Sequence, residues 1–387
     1  MKVLVLAPEP WFEERGTPIA VDLVLRALVE NGHDVELLTF HLGKDAPTLP
    51  PDHIHRIRPW FRIEHVPPGL SLRKVVCDVF MFARFVSLMF RRRYDVVHAV
   101  EEASFMAMIV CPLTSTPYVV DMDSSMTTQI VDKYPRLRIL RRVLMFLESI
   151  PMRFAAVVAP MCDVLADEIR RYSPRRVVVL KDVSLRNELS DGSRAENLRE
   201  TLGITGRMVM YNGNLESYQG IDLLLESFKR VCRHADDVDL VVIGGTQDDI
   251  ERYREEAREM GISQYVHFVG PRPVRQLDGY LRQADLLVSP RVQGVNTPMK
   301  IFSYLHSGVA VLATRLPTHT QVITPRVAAL AEPNGRSFGL AMLDLLDNPA
   351  WRRRLAVNAR RLIEREHSYS AFKKKIGGIY SRQLKAA

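Results

Sequence analysis

Short runs of Val, Ile and Leu, uninterrupted by polar residues, recur along this chain and alternate with segments of helical spacing. The first run, Lys2–Ala7, is followed by a loop and then by helical spacing over Ile19–Glu30. Unbroken apolar runs of this length are typical of strands that are covered by helices on both faces, as in parallel sheets. The pattern therefore predicts an α/β chain built from repeated strand–helix units.

The alternation continues in two successive arrays. In the first half, further strands are predicted at Asp34–Phe40, Tyr94–Val100, Pro117–Asp121, Ala155–Pro160 and Arg176–Leu180, with a helix at Met161–Arg170. In the second half, strands are predicted at Arg207–Tyr211, Val238–Ile243, Val266–Val269, Leu286–Ser289 and Ala310–Thr314. The helices between and after them are predicted at Ile221–Cys232, Ile250–Met260, Val274–Arg282, Thr297–His306 and Phe338–Leu346. Two such arrays predict two Rossmann-like, doubly wound parallel sheets that bind ligands at the carboxyl ends of their strands.

A polar, charge-rich passage separates the two arrays. We therefore expect a first domain over residues 1–185, a linker over 186–206 and a second domain over 207–367. A final helix at about 368–387 is expected to pack back on the first domain. A length of 387 residues suits two domains of this size, and we expect them to face a central cleft.

Composition indicates which kind of partner the chain binds and in which compartment it is expected. The 53 Lys and Arg residues exceed the 45 Asp and Glu residues, for a net charge of +8, which favours anionic partners. The four cysteines are far apart and form no CxxC pair, which indicates reduced thiols rather than a metal site. The apolar run at the start is too short for a secretory signal, and no run is long enough to span a membrane. A cytoplasmic location is therefore expected.

The strongest local signal for a binding site follows the predicted strand Leu286–Ser289. Thr297 is a good N-cap residue and Pro298 suits the first helical position, so the free N–H groups of this helix start would form an anion site. Lys300 falls in the first turn, where a cation is unfavourable for the helix unless it helps to hold an anion. The alternative is an ordinary capped helix with Lys300 in solvent.

A second helix start has the same design after the first strand. Thr17 is the predicted cap, Pro18 the first helical residue, and Gly16 allows close approach of a ligand. Many strand-to-helix loops have this composition, so a simple turn is the alternative.

Glycines also mark the loops of the second half. Gly213 and Asn214 follow the strand Arg207–Tyr211 and suit backbone contacts with a phosphate or a sugar. Gly244 and Gly270 follow two further strands and are expected to line a nucleobase pocket. The alternative for each position is an ordinary turn.

Taken together, these residues resemble family 4 glycosyltransferases over nearly the whole chain. The segments that carry the resemblance are Glu14–Val21, Tyr94–Glu102, Pro117–Met126, Tyr211–Phe228, Val266–Arg272, Leu286–Thr314 and Trp351–Phe372. The resemblance implies the GT-B fold and a retaining transfer of a sugar from a nucleoside-diphosphate donor. It also implies that the second domain holds the donor, that the first largely holds the acceptor, and that no metal is needed.

The chain departs from the family pattern at several places. Where family members commonly carry Arg and Lys after the first strand of the second domain, this chain has Asn214 and Gln219. Of the usual two glutamates around the phosphate-binding turn, the first is replaced by Gln293 or Val295, depending on the alignment. The second, which often holds the donor ribose, is replaced by Ser303.

The remaining donor contacts implied by the resemblance fall on the turn before the predicted helix Thr297–His306. They are Asn296, Thr297, Pro298 and Met299. Lys300 is expected to supply the cation that the other loop lacks.

Polar residues also end two predicted strands of the first domain, where doubly wound sheets place ligand contacts. His98 closes one strand, and Asp121 and Asp123 end the next. The family often has a histidine at the place of Asp123, near the reactive carbon of the sugar, so Asp123 is a candidate catalytic residue. His98 is a second candidate because of its position at the end of a strand. A core histidine is an equal alternative for His98. The Asp-x-Asp pattern alone would suggest a metal motif, but two strand–helix arrays argue against the fold that uses it.

Two stretches combine apolar and basic residues, Leu72–Tyr94 with Arg91, Arg92 and Arg93 at its end, and Arg138–Ala155. This pattern matches helices that lie in a membrane interface, and it favours peripheral contact with an anionic inner membrane face. The alternative is that both are packing helices of the first domain.

The sequence therefore favours a retaining, metal-independent hexosyltransferase that moves a sugar from a nucleoside-diphosphate sugar to a glycan or lipid-linked acceptor. Synthesis of cell-surface polysaccharide or glycolipid is the expected setting, and the nucleotide sugar is a co-substrate rather than a cofactor. The alternatives are a non-catalytic GT-B module that binds a glycan or partner, and a nucleotide-sugar epimerase of the same fold. No aromatic and basic platform supports nucleic-acid binding.

Overall fold

A computed structural model describes residues 1–11, 16–44, 48–64, 66, 71–184, 194–294, 297–381 and 384. The chain divides into two compact units, Met1–Asp182 with Ser370–Ala387, and Val183–Tyr369. Each unit has its own parallel sheet and its own buried apolar core. None of the helices in the described ranges is long and apolar enough to cross a bilayer.

The sheet of the first unit has six strands: β1 Lys2–Ala7, β2 Asp34–Thr39, β3 Ile54–Arg56, β4 Val96–Val100, β5 Tyr118–Met122 and β6 Val157–Pro160. Their order is β3-β2-β1-β4-β5-β6, and every neighbouring pair is parallel. The helices are α1 Gly16–Glu30, α2 Leu72–Arg91, α3 Ala103–Val110, α4 Met126–Lys133, α5 Arg141–Phe154 and α6 Asp163–Arg170, with 3₁₀ turns at Pro51–His53, Cys111–Thr114 and Pro135–Leu140. The strand order reverses between β1 and β4, which is where doubly wound sheets bind ligands.

The second unit repeats this topology. Its strands are β7 Arg207–Asn212, β8 Val238–Ile243, β9 Val266–Gly270, β10 Leu286–Ser289, β11 Ala310–Thr314 and β12 Ala329–Ala331. They are parallel and ordered β12-β11-β10-β7-β8-β9, so the reversal lies between β7 and β10. The helices are α7 Leu198–Thr201, α8 Ile221–Cys232, α9 Gln247–Glu259, α10 Leu277–Leu281, α11 Lys300–His306, α12 Pro317–Thr320, α13 Gly335–Asp347 and α14 Pro349–Glu366, with 3₁₀ turns at Ser217–Gln219, Ser263–Tyr265 and Val274–Gln276. Two doubly wound sheets, as predicted from the apolar runs, are confirmed.

The last helix, α15 Tyr369–Ile379, returns to the first unit. The Asn31 side-chain amide, just past α1, donates to the Lys373 carbonyl at 3.2 Å, and the Lys375 ammonium donates to the Val179 carbonyl at 3.1 Å. Ile376 and Ile379 are fully buried. Apolar burial and side-chain hydrogen bonds to backbone carbonyls therefore hold α15 on the first unit.

Several predicted elements differ from the structure. Residues 176–180 form backbone hydrogen bonds to β6 at Val158 and Pro160, but they make one isolated bridge rather than a strand. The short strands β3 and β12 were not predicted, because three residues are too few to show a periodicity. The second half of the predicted linker belongs to the second unit, since Leu198 in α7 is fully buried in its core.

Candidate functional site

Lys300 lies where the strand order of the second sheet reverses. It is the first residue of α11, which follows β10, and its ammonium reaches the loop that follows β7. The Nζ atom donates to the hydroxyl of Tyr211 in β7 and to the side-chain carbonyl of Gln219 in that loop, both at 2.9 Å. It also lies 4.0 Å from the centre of the Tyr211 ring. These partners are neutral, and Lys300 forms no ion pair with any carboxylate in the part of the chain that the structure describes.

The electrostatics of Lys300 follow from this placement. Burial, with added repulsion from Arg291, lowers the pKa of Lys300 well below its usual value. A cation held by neutral groups has lost hydration without gaining a counter-charge, so its protonated form is disfavoured until an anion arrives. Lys300 is therefore a candidate for binding an anion at the carboxyl edge of the sheet.

Three of the predicted glycines pack together beside this lysine. A Cβ atom on Gly213 would lie 2.9 Å from the Lys300 Nζ, so the ammonium occupies the space that the missing side chain leaves. Gly244 has a φ of +108°, and a Cβ there would lie 2.1 Å from the Gly213 carbonyl oxygen. Its N–H donates to the carbonyl of Gly270 at 2.9 Å. The predicted loop glycines thus meet at the ends of three adjacent strands.

Arg291 is a second cation at this edge, and no pattern in the sequence singled it out as a site residue. Its guanidinium lies 5.1 Å from the centre of the Tyr218 ring, and its Nε donates to the Gln293 carbonyl at 2.7 Å. Burial lowers the pKa of Arg291. Tyr218 and Gln219 are neighbours in the same 3₁₀ turn, so the two cations contact adjacent residues of one loop.

A neutral histidine supports the segment that carries Arg291. The buried His319 accepts from the Ser289 hydroxyl at Nε2 (2.9 Å) and donates from Nδ1 to the Thr314 carbonyl (2.9 Å). Burial lowers the pKa of His319 to about 4, and the nearby cations Lys300 and Arg291 oppose its protonation further. The Thr314 hydroxyl in turn donates to the Arg291 carbonyl at 2.6 Å, which fixes the backbone of that cation.

The turn before α11 differs from the prediction. The helix begins at Lys300 instead of Thr297, and its cap position, Met299, makes no side-chain capping bond. The chain turns earlier through the Pro298 and Met299 carbonyls, which accept from the N–H groups of residues 301 and 302. The predicted cap by Thr297 is therefore wrong, and the candidate anion site consists of the cations Lys300 and Arg291 without a side-chain-capped helix start.

Other predicted positions are placed as follows. The hydroxyls of Thr297 and Ser303 are buried and have no hydrogen-bond partner among the described residues. Asn214 donates weakly to the Tyr218 hydroxyl at 3.4 Å, whereas Asn296 lies outside the described residues. Helix α1 already includes Gly16 and Thr17, so Thr17 is not the cap that was predicted.

In the first unit, His98 is fully buried in β4 and uses both ring nitrogens. Its Nε2 bonds the Asp121 carboxylate at 3.0 Å, and its Nδ1 bonds the Tyr380 hydroxyl at 2.6 Å. The simplest proton arrangement has Tyr380 donating to Nδ1 and Nε2–H donating to Asp121. This geometry favours the core alternative for His98, which positions the carboxylate and joins the chain end to the sheet.

Asp123 lies among other carboxyl groups at the same edge of the first sheet. Burial, followed by repulsion from Asp121 and Glu101, raises the pKa of Asp123 well above its usual value. Burial and the neighbouring Glu102 raise the pKa of Glu101 to about 8, and burial and Asp121 raise that of Asp182 to about 7. The edge therefore holds carboxyl groups that are partly protonated near neutral pH. Among the described residues, no three His, Cys, Asp or Glu side chains are arranged to hold a metal ion.

Two family models match the chain, one in each unit. Residues 15–181 match the model described as glycosyl transferase 4-like domain, and residues 206–348 match the one described as glycosyl transferases group 1. Between them these ranges include both sheet edges described above.

Three curated relatives show the extent of sequence similarity. D-inositol 3-phosphate glycosyltransferase of Corynebacterium aurimucosum is 27% identical over 135 residues, 32% of each chain. Phosphatidyl-myo-inositol mannosyltransferase of Mycobacterium leprae is 25% identical over 178 residues, 45% of this chain and 46% of the relative. Alpha-D-kanosaminyltransferase of Streptomyces kanamyceticus is 24% identical over 293 residues, 72% of this chain and 74% of the relative. The similarity thus spans less than half of the first two relatives.

Solved structures resemble the chain over its whole length. Sucrose-phosphate synthase from Thermosynechococcus elongatus has a TM-score of 0.78 at 18% identity, with all of both chains covered. HepE of Anabaena in complex with UDP has a TM-score of 0.76 at 15% identity, covering 98% of this chain and 100% of HepE. At these identities the likeness establishes the fold alone.

Proposed function

Because the chain belongs to the glycosyltransferases of the group 1 and family 4 type and has the GT-B fold, we propose that it is an active, retaining enzyme. It transfers a hexose from a nucleoside-diphosphate sugar to a glycan or lipid-linked acceptor. The observation that carries this proposal is Lys300, a cation held by neutral partners at the switch point of the second sheet.

The donor diphosphate is the anion that this position suits. Lys300 and Arg291 provide two positive charges beside one loop, and a nucleoside diphosphate provides negative charges at similar spacing. The departures at Asn214 and Gln219 are then offset, because cations from the segment after β10 reach the loop where the family usually carries its own. HepE binds UDP, which supports a uridine nucleotide as the first donor to test.

In the proposed reaction, the bond between the anomeric carbon and the diphosphate oxygen breaks, and the diphosphate keeps the electron pair. The acceptor hydroxyl oxygen forms its bond to the same face of the sugar, and its proton passes to the departing diphosphate. Lys300 and Arg291 stabilise the negative charge that develops on the leaving group. Asp123 is proposed to orient the acceptor hydroxyl or to contact the sugar. A divalent metal is not required, because the two cations supply the charge that it would otherwise provide.

A donor screen tests the proposal. Nucleoside-diphosphate release is measured for a panel of nucleotide sugars, with and without lipid extract and with and without EDTA. We expect release from one donor class that rises with extract and survives the chelator. Loss of activity with EDTA and its return with manganese would contradict the metal-free mechanism. Donor binding without release would favour the non-catalytic module, and conversion of the sugar without release would favour the epimerase.

We also propose peripheral contact of the first unit with an anionic membrane, where a lipid-linked acceptor would be found. The 3₁₀ turn Pro135–Leu140 and the first turns of α5 are largely exposed, and they place Ile139 and Phe146 among arginines. Helix α3 packs against both α2 and α5 and exposes Ile109, so apolar exposure continues from one basic helix to the other. One relative is a phosphatidyl-myo-inositol mannosyltransferase, which supports a lipid acceptor.

The structure refines which arginines can test this contact. Arg92 donates to the buried Glu36 carboxylate at 2.8 Å, so it has a structural role. Arg84 and Arg91 are exposed on α2. Their joint change to Gln should weaken binding to phosphatidylglycerol vesicles, since each basic residue near an anionic surface contributes on the order of 1 kcal/mol. The matched control changes the exposed Arg353 and Arg354 of the second unit to Gln. Equal loss in both variants would contradict a membrane face on α2.

A further inference from the structure

Trp60 is the most exposed large apolar side chain of the described residues, with 92% of its surface in solvent. Trp60 packs against another aromatic side chain. Its ring meets Phe80 of α2 edge-on at 5.5 Å between ring centres, and the exposed ring of Phe61 meets the same Phe80 at 6.0 Å. Two neighbouring aromatic rings are thus fixed on one helix while they remain in water, an arrangement that costs solvation free energy unless something covers it.

The helix beneath these rings has three faces. Its buried face includes Met81 and Phe85. A second, apolar face is exposed or half-buried and recurs every three or four residues, at Leu72, Val75, Val79, Ala83, Val86 and Phe90. A third face carries the exposed Arg73, Arg84 and Arg91, spaced by whole numbers of turns. Phe80 lies between the apolar and basic faces, so Trp60 and Phe61 sit at their boundary.

We infer that Trp60 and Phe61 form an aromatic anchor that enters the interface of an anionic bilayer, with α2 lying along the surface. Tryptophan prefers the headgroup level, the apolar face suits the outer acyl region, and the arginines complement anionic headgroups. The single acid in α2, Asp78, is half-buried next to Lys74 and Glu102, and burial followed by repulsion from Glu102 raises its pKa to about 8. This inference rests on the proposed membrane contact and identifies its point of insertion.

The protein contains its own reporter for this inference. Of its three tryptophans, Trp11 is 1% exposed and Trp351 lies in the second unit. In the full-length Trp351→Phe protein, Trp60 is therefore the exposed tryptophan. Adding phosphatidylcholine vesicles that contain phosphatidylglycerol should shift its emission to shorter wavelength, and brominated acyl chains should quench it. Trp60→Ser should lower vesicle affinity about tenfold, since an apolar side chain loses its burial, and should leave donor hydrolysis unchanged.

The other outcomes separate the two ideas. Vesicle binding without a Trp60 shift would overturn the anchor and leave the membrane contact standing. No binding by any variant would overturn both. A third outcome is that the protein self-associates without binding vesicles and that Trp60→Ser abolishes this self-association. This result would show that a second copy of this chain covers the two rings, and it would also overturn the anchor.

Discussion

Replacing Lys300 with Met should separate ligand binding from folding, because the ammonium makes two hydrogen bonds to neutral groups and has no counter-charge among the described residues. Methionine keeps most of the side-chain volume and removes the charge. Loss of one charge-assisted phosphate contact costs about 1.5–3 kcal/mol. This corresponds to roughly 10- to 150-fold weaker binding of a nucleoside diphosphate. Isothermal titration with UDP measures the change directly.

The pH dependence of UDP binding tests whether the Lys300 ammonium is the group that binds the diphosphate. In the free protein the pKa of Lys300 is lowered by burial and by Arg291. The negative charge of a bound diphosphate should raise this pKa again. Affinity should therefore fall as the pH rises from the lowered pKa of the free protein towards the higher pKa of the complex. Above about pH 7 a terminal phosphate, with a second pKa of about 6, is already ionised and does not contribute to this slope. The Lys300→Met protein should lose this slope, and Lys300→Arg should bind with a flatter profile because arginine stays charged.

The stability of the unliganded protein should change with pH in the direction opposite to that of UDP affinity. A lysine with a lowered folded-state pKa binds its proton less tightly in the fold than in the unfolded chain, so wild-type stability should rise with pH between the two pKa values. Urea unfolding of wild type and Lys300→Met over this range measures the difference. If Lys300→Met binds UDP like the wild type, or if both proteins show the same pH slopes, Lys300 is not the phosphate cation and the reasoning fails.

Three further changes test the candidate donor site and the stability of the first unit. Gly213→Ala should weaken UDP binding about tenfold, since its Cβ would meet the Lys300 Nζ at 2.9 Å, whereas Gly378→Ala, with open space around it, should not. If Arg291 pairs with the donor diphosphate as proposed, Arg291→Gln should reduce UDP affinity more than UMP affinity in titrations, because UMP lacks one of the two phosphates. Equal losses would contradict that role. Glu36→Gln should destabilise the fold by about 3 kcal/mol in urea at pH 7. Although burial opposes it, hydrogen bonds from Tyr94, Lys2 and His55 lower the pKa of Glu36 to about 2, so the wild type should lose this stability as the pH falls from about 4.5 to 2 and the variant should not.

The local sequence pattern was sufficient to predict the central strands of both sheets and the glycines at strand ends. The central strands β1, β8, β10 and β11 lie at the predicted residues, because each is an apolar run buried on both faces. The glycines after β7, β8 and β9 were also predictable, since each stands where a strand ends and the backbone must turn. The family resemblance is confirmed by the two family models, which match residues 15–181 and 206–348.

Contacts between distant residues required the tertiary structure. From the sequence, His98 is equally a site residue or a core residue, and only the structure shows that Tyr380, 282 positions later, bonds its Nδ1. Thr297 had the chemistry of a helix cap, but the chain turns before α11 begins.

The contacts of Lys300 also join residues that are far apart in the sequence. Its partners Tyr211 and Gln219 lie 89 and 81 positions earlier in the chain. Periodicity reports how a segment presents its own side chains, and therefore determines where strands and helices form. It carries no information on which strand ends become neighbours, because the crossover order that places β10 beside β7 depends on the packing of the whole sheet.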